Sequence, residues 1–164
     1  MGKTQDNLKA AFAGEAKATI RLKAFAAKAE AEGYGPLAKL FRAVAEAEAV
    51  HALRHLRHMK LVGPTEENLK SAFEQESSIT DNHYPQFVLD ANEEGESAIA
   101  TSFSYTRDAE ESHASLYKRA LDNFANERDT DYFVCSVCGY IADGEAPDVC
   151  PVCGSKKMAF KKAE

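Results

Sequence analysis

Two pairs of the form Glu-x-x-His, Glu48–His51 and Glu110–His113, stand in stretches of helical composition, so each pair shares one helix face. Two single glutamates accompany them in a repeating order. Glu15 precedes Glu48 by 33 residues and Glu76 precedes Glu110 by 34. Four carboxylates and two imidazoles gathered at one place suit a pair of divalent or trivalent irons, because the anionic ligands offset the metal charge and can bridge the two ions. A second constellation lies at the other end of the chain. All four cysteines fall in the last 30 residues, as Cys135-x-x-Cys138 and Cys150-x-x-Cys153 with eleven residues between the pairs. Four thiolates at such spacing hold zinc or a single iron in a tetrahedron.

The elements that must position these groups follow from punctuation and period. Ala, Glu, Lys and Leu dominate residues 1–127, which is helical composition. A first helix is expected from about Thr4 to Ala31, stopped at Gly33-Tyr34-Gly35. Pro36 suits the first turn of a second helix, which Gly63-Pro64 ends. Thr65 is the expected N-cap of a third, with a kink at Pro85, and Gly95 separates it from a fourth that runs to about Phe124. Apolar residues recur at steps of three and four: Leu8, Phe12 and Leu22 in the first helix, Leu37, Phe41 and Val44 in the second, Phe103 and Tyr117 in the fourth. Glu15, Glu48, His51, Glu110 and His113 continue those same stripes, and Glu76 lies on the stripe of the third helix. An unpaired carboxylate in a core costs several kcal/mol, about the size of a weak domain's whole stability, so repeated intrusion implies a bound cation. A single Glu-x-x-His on a Glu-rich helix is ordinarily surface charge. Glu46, Glu74 and Glu111, off the stripes, fit that description, and His55 and His58 are expected at a bundle end or facing solvent.

Residues 132–164 differ in kind, being short and rich in Gly, Pro and Cys, with β-type residues at Tyr132-Phe133-Val134. Residues 128–131 form the expected linker. Tyr132, Phe133, Tyr140 and Phe160 supply aromatic cover for the cysteine site. A zinc ribbon has much the same sequence, and the carboxylate-rich neighbour tips the choice to iron. A net charge of −6 and the lack of a basic stretch before the Lys-rich tail argue against nucleic acid. Polar residues at the start and the want of a long apolar run lead to the expectation of a soluble, cytoplasmic chain with no membrane contact.

The ligand set matches that of ferritin-like diiron bundles. With Ala11-Phe12-Ala13-Gly14-Glu15, His83-Tyr84-Pro85 and the Cys-x-x-Cys-Gly-Tyr … Cys-Pro-x-Cys-Gly end, the chain resembles the rubrerythrins over almost its whole length. The resemblance implies an all-α four-helix ferritin-like bundle followed by a small C-terminal rubredoxin-like, iron-binding β domain. It implies a non-haem diiron peroxidase that reduces hydrogen peroxide to water in the cytoplasm. Electrons would come from an NAD(P)H-linked reductase or a rubredoxin and pass through the four-cysteine iron. By motif, Glu15, Glu48, His51, Glu76, Glu110 and His113 would bind the diiron pair, Cys135, Cys138, Cys150 and Cys153 the single iron, and Tyr84 would bond a ligand carboxylate. One position departs from the pattern: relatives carry a further glutamate three residues after the one matching Glu76, where this chain has Ile79. The remaining four Glu and two His are nearer to a bacterioferritin or oxidase pattern. An O₂-using oxidase or ferroxidase, or an iron-binding electron carrier without turnover, are therefore the alternatives. The short connection between the second and third helices leaves either an up-down-up-down bundle within one chain or an exchange between two, and a homodimer that exchanges helix pairs is the expectation.

Overall fold

The computed structural model describes residues 2–126 and 129–164, so the boundary expected at Glu127 and Arg128 lies outside the described residues. The helices are α1 (Lys3–Ala31), α2 (Gly35–His58), α3 (Thr65–Asn82), α4 (Tyr84–Glu93) and α5 (Ser97–Asp122). They are the four long elements of a ferritin-like bundle, with the third broken into two pieces. The break is one residue, His83, and Pro85 then sits in the first turn of α4, where its missing N–H is not needed. Thr65 is the first residue of α3 rather than its cap. Pro64, with no side-chain bond to offer, takes the cap position.

By its contacts the chain divides into two compact units, Met1–Gly63 and Pro64–Glu164. In the first, α1 and α2 pack as a hairpin joined by a short turn. The line of closest approach is built of small residues: Ala38, Ala45 and Ala52, spaced by sevens on α2, are buried with Thr19, Ala26 and Ala29 of α1. Heptad spacing keeps a row of side chains on one seam, and alanine lets the backbones come close. The larger stripe residues Leu8, Phe12, Leu22, Phe41 and Val44 are only half-buried beside this seam, and Leu37 is exposed.

Helix α2 ends at His58, five residues before Gly63. The N–H of Lys60 bonds the Arg57 carbonyl at 3.0 Å and that of Leu61 bonds the Leu56 carbonyl at 3.3 Å, with Lys60 in the left-handed region at φ 57°. The ends of α1 and α4 close in the same pattern on Gly33 and Gly95. At Lys60 a lysine does what glycine does elsewhere, so the usual marker of a helix end is missing from the sequence.

In the second unit α5 packs against both α3 and α4. Tyr84, Phe87 and Phe103 form an aromatic cluster there, with ring centroids 5.6–6.1 Å apart. The same unit contains a three-stranded antiparallel sheet in the order β2-β1-β3, where β1 is Tyr132–Cys135, β2 Ile141–Asp143 and β3 Phe160–Lys162. Phe133 pairs with Ala142 on one side and Lys162 on the other. Among the described residues, no helix is long and apolar enough to cross a membrane.

Candidate metal centres

The cysteines form the most enclosed of the candidate sites. Cys135 and Cys150 are buried and Cys138 and Cys153 half-buried. Each Cys-x-x-Cys pair folds as a turn in which the following glycine returns to the first cysteine. The Gly139 N–H bonds the Cys135 carbonyl at 2.9 Å and the Gly154 N–H the Cys150 carbonyl at 3.0 Å. Both glycines have positive φ, 84° and 73°, a conformation that other L residues adopt at a cost. The sulfurs of Cys135 and Cys153 lie 3.7 Å apart and those of Cys138 and Cys150 3.6 Å apart. A tetrahedron with metal–sulfur bonds of ~2.3 Å has edges of about 3.8 Å, so the four sulfurs fit one tetrahedral ion. Burial pushes the Cys138 and Cys150 thiols up. Burial acts the same way on Cys153, but hydrogen bonds with Ser155, whose Oγ is 3.2 Å away, and with Cys138 and Cys150 together outweigh it and bring that thiol down to about 6. Tyr140 and Phe160 cross edge-to-face at 6.4 Å beside the site.

The six carboxylate and histidine residues are brought together as two clusters of three. Glu15, Glu48 and His51 form one, within the α1–α2 hairpin, and Glu76, Glu110 and His113 form the other, on α3 and α5. In each cluster one ligand atom per residue lies within 4.8 Å of the other two, and all six residues are half-buried. The i, i+3 spacing sets each histidine against its own glutamate. His51 Nδ1 is 2.9 Å from Glu48 Oε2, and His113 Nδ1 is 2.7 Å from Glu110 Oε2. Glu46, Glu74 and Glu111 are exposed, as their off-stripe positions imply. His58 is exposed too, but His55 is half-buried, with its Nδ1 enclosed and unpartnered.

Burial raises the Glu76 carboxyl, and a hydrogen bond with Glu110 and the charge of that neighbour raise it further, while His113 pulls the other way. Two carboxylates held this close without a cation are unfavourable, which is how a metal site behaves in the metal-free state. The sign of the effect gives a test. Because the folded protein holds the Glu76 proton more tightly than the unfolded chain, this group costs stability above its ordinary value of 4.5 and costs none well below it. Metal-free Glu76→Gln protein should therefore melt about 1–3 °C higher than the metal-free parent at neutral pH, with the gap closing as the pH falls below that value. A lower melting temperature at neutral pH would count against the crowding of the two carboxylates. The same substitution should weaken metal binding, so stability and binding move in opposite directions.

Tyr84 stands near this second cluster. Its burial, and then the charges of Glu110 and Glu76, push its phenol up, while Thr106 pulls the other way. Ile79 lies one turn beyond Glu76 on α3 and is half-buried.

The rubrerythrin family profile matches residues 6–121, and that of the rubrerythrin rubredoxin-like domain matches residues 133–161. Nigerythrin of Nitratidesulfovibrio vulgaris is 34% identical over 98% of this chain and 86% of its own length. The rubrerythrin of Porphyromonas gingivalis is 33% identical over 97% of this chain and 89% of its own. A solved structure of nigerythrin in a mixed-valence state superposes with a TM-score of 0.58, covering 99% of this chain and 88% of that one at 34% identity. With two family profiles in the expected order, relatives matched over nearly the whole of this chain, and a four-sulfur cluster following two Glu-Glu-His clusters, the chain belongs to the rubrerythrin family.

Proposed function

We propose that this chain is a cytoplasmic peroxide reductase. It would reduce hydrogen peroxide to two waters with two electrons and two protons, the electrons coming from an NAD(P)H-linked reductase or a rubredoxin through the cysteine cluster. The observation that carries the reading is the presence, in one chain, of a four-sulfur cluster sized for one ion and of two clusters that each offer two carboxylates and an imidazole. Glu15, Glu48, His51, Glu76, Glu110 and His113 are the residues that would hold a diiron pair, and Cys135, Cys138, Cys150 and Cys153 a single iron. When bound, the irons supply Lewis acidity and redox capacity. The protein's part is placement. The two i, i+3 pairs hold each imidazole against a carboxylate, and the Glu76–Glu110 contact keeps an anionic seat ready for cations. Solved structures of nigerythrin are described as mixed-valence and as fully reduced, all-ferrous states, which supports iron redox chemistry here as well.

The assembly proposed is a homodimer in which α1 and α2 of one chain complete a bundle with α3 to α5 of another. The ferritin-like arrangement keeps the second and third helices parallel and requires a crossover as long as the bundle. Helix α2 has 24 residues and is ~36 Å long at ~1.5 Å per residue. Residues 59–64, which join it to α3, are six and reach ~22 Å at most when extended. Two of the six are already used in closing the end of α2 at Lys60 and Leu61. Exchange reconciles that short link with the family's ligand geometry.

Ile79 favours a second reading, an O₂-using oxidase or ferroxidase, since no further carboxylate follows Glu76 at that place. Anaerobic, fully reduced protein mixed with either oxidant in a stopped-flow instrument separates the readings. The expected result is oxidation by peroxide at least about tenfold faster than by O₂, a gap of about 1.4 kcal/mol in barrier. A faster reaction with O₂ would support the oxidase, and slow reaction with both an electron carrier. The same oxidised sample should show thiolate-to-iron charge-transfer bands. A colourless protein with stoichiometric zinc would rule out iron at the cysteine site.

A further inference from the structure

The α4–α5 end of the second unit carries an apolar groove with an acidic rim. Phe87 and Ala91 of α4 and Ile99 and Phe103 of α5 form its floor, around a cavity of about 370 Å³. Asp90, Glu94 and Glu96 edge it. Phe87, Ile99 and neighbouring Leu89 are exposed. Ile99 and Phe103 stand on the stripe of α5 that continues through Thr106 to Glu110 and His113, so the groove opens on the side of the candidate metal ligands. The charge is one-sided. Between Lys70 and Arg107 the chain has seven carboxylates and neither lysine nor arginine. Asp90 is bonded to Gln86 at 2.6 Å, and the Glu94 and Glu96 side chains have no bonded partner among the described residues.

The C-terminal end of α2 has the opposite character. Residues 49–65 include Arg54, Arg57 and Lys60 and no Asp or Glu. Both arginines are exposed and have no ion-pair partner among the described residues. Leu53, Leu61 and Val62 are exposed beside them. Arg54 comes two residues after buried Ala52 and so lies on the side of α2 away from its seam with α1. In a ferritin-like bundle α2 runs parallel to α3, and α5 turns back on α4 at Gly95, so α2 and α5 are antiparallel. Arg54 and Arg57 follow Glu48 by six and nine residues, ~9–14 Å along the helix. Phe103 and Ile99 precede Glu110 by seven and eleven residues, ~10–17 Å. The arginines and the groove therefore fall at one level once the two carboxylate–histidine clusters meet.

We propose that this groove is the seat of the basic end of α2 from a second copy of the chain. The inference rests on the helix-exchange reading of the assembly and names what holds the exchanged hairpin. Apolar side chains of that end lie on the Phe87–Phe103 floor, and Arg54 and Arg57 stand against the Glu94–Glu96 rim. Each chain offers one seat and one basic end, so a pair of chains closes with two identical contacts. The apolar floor supplies attraction and the charges supply selection, because like charges brought together at an interface are strongly penalised.

The test uses full-length, iron-loaded protein and two variants altered only at exposed positions, Arg54→Glu/Arg57→Glu and Glu94→Lys/Glu96→Lys. Alone, each variant sets like charges against each other at both contacts. Its dimer should dissociate with a constant at least about tenfold above the parent's at low salt, the gap narrowing at high salt. Co-expressed with different tags, the two variants should form mainly heterodimers, about nine in ten by native mass spectrometry, because every contact then joins opposite charges. Two differently tagged parent chains should give about half, the statistical share. A share of half or less from the reversed pair would overturn the proposal, as would a dimer of either variant as tight as the parent's. Recovery of diiron centres in a mixture of Glu48→Ala and Glu110→Ala chains tests the exchange itself. Recovery together with a statistical share would overturn the docking and leave the exchange standing, and no recovery would remove both.

Discussion

A mixture of two inactive variants, Glu48→Ala and Glu110→Ala, should regain diiron centres when the chains are unfolded together and refolded. Each substitution alone removes a carboxylate that no neighbour replaces, one from the α1–α2 cluster and one from the α3–α5 cluster. In an exchanged dimer of one variant with the other, both lesions fall in the same centre. That centre lacks two glutamates, and its sister draws Glu15, Glu48 and His51 from one chain and Glu76, Glu110 and His113 from the other, all intact. With random pairing half the dimers are mixed, so iron occupancy should rise from near zero to about a quarter of the parent's, by the symmetry of a two-chain exchange. Metal analysis after removal of loose iron reads the outcome. If each chain assembled its own centre, every centre in the mixture would keep one lesion, and no recovery would appear. The expectation follows from the short link of residues 59–64 against the 24-residue length of α2.

The second large effect is expected at Ile79. No carboxylate follows Glu76 by one turn on α3, so the centre should keep a single ligand arrangement, with His51 bound in both oxidation states. Structures of the oxidised and reduced protein should then superpose with little metal displacement. Movement of an iron away from His51 on oxidation would refute this. Ile79→Glu places a carboxylate at i+3 from Glu76, on the same face of the helix. The ratio of peroxide rate to O₂ rate should rise by about tenfold, which corresponds to about 1.4 kcal/mol of differential stabilisation at the transition state. An unchanged ratio would make Ile79 incidental to the choice of oxidant. The half-burial of Ile79 means that the new carboxyl costs some stability in the metal-free protein, much as Glu76 does.

The candidate sites of this chain were legible because their residues break the pattern around them. Glutamate and histidine on apolar stripes, and cysteines in two spaced pairs, are improbable unless something pairs with them, so residue type and period alone picked out both constellations. Helix ends were legible where glycine marked them, at Gly33 and Gly95, and were misplaced at the end of α2, where Lys60 adopts the left-handed conformation instead. The hairpin seam was missed as well. The apolar stripes suggested a core of Leu, Phe and Val, but the buried line is Ala38, Ala45 and Ala52, since alanine's small side chain lets helices approach and leaves larger neighbours half-exposed. Alanine is so frequent here that its heptad spacing does not stand out.

The inventory of candidate ligands, and the helix on which each sits, can be read from residue order, because both depend on i, i+3 spacing and on the nearest turn. Which of these side chains come together depends instead on how the helices pack. The packing set Glu15, Glu48 and His51 together in one group and Glu76, Glu110 and His113 in another, with the Glu76 and Glu110 carboxyls against each other. It also laid the Gly139 carbonyl on His113, a contact between residues twenty-six apart. Such pairings depend on how whole elements pack, and packing is set by the summed burial of many side chains, which no local pattern of residues encodes.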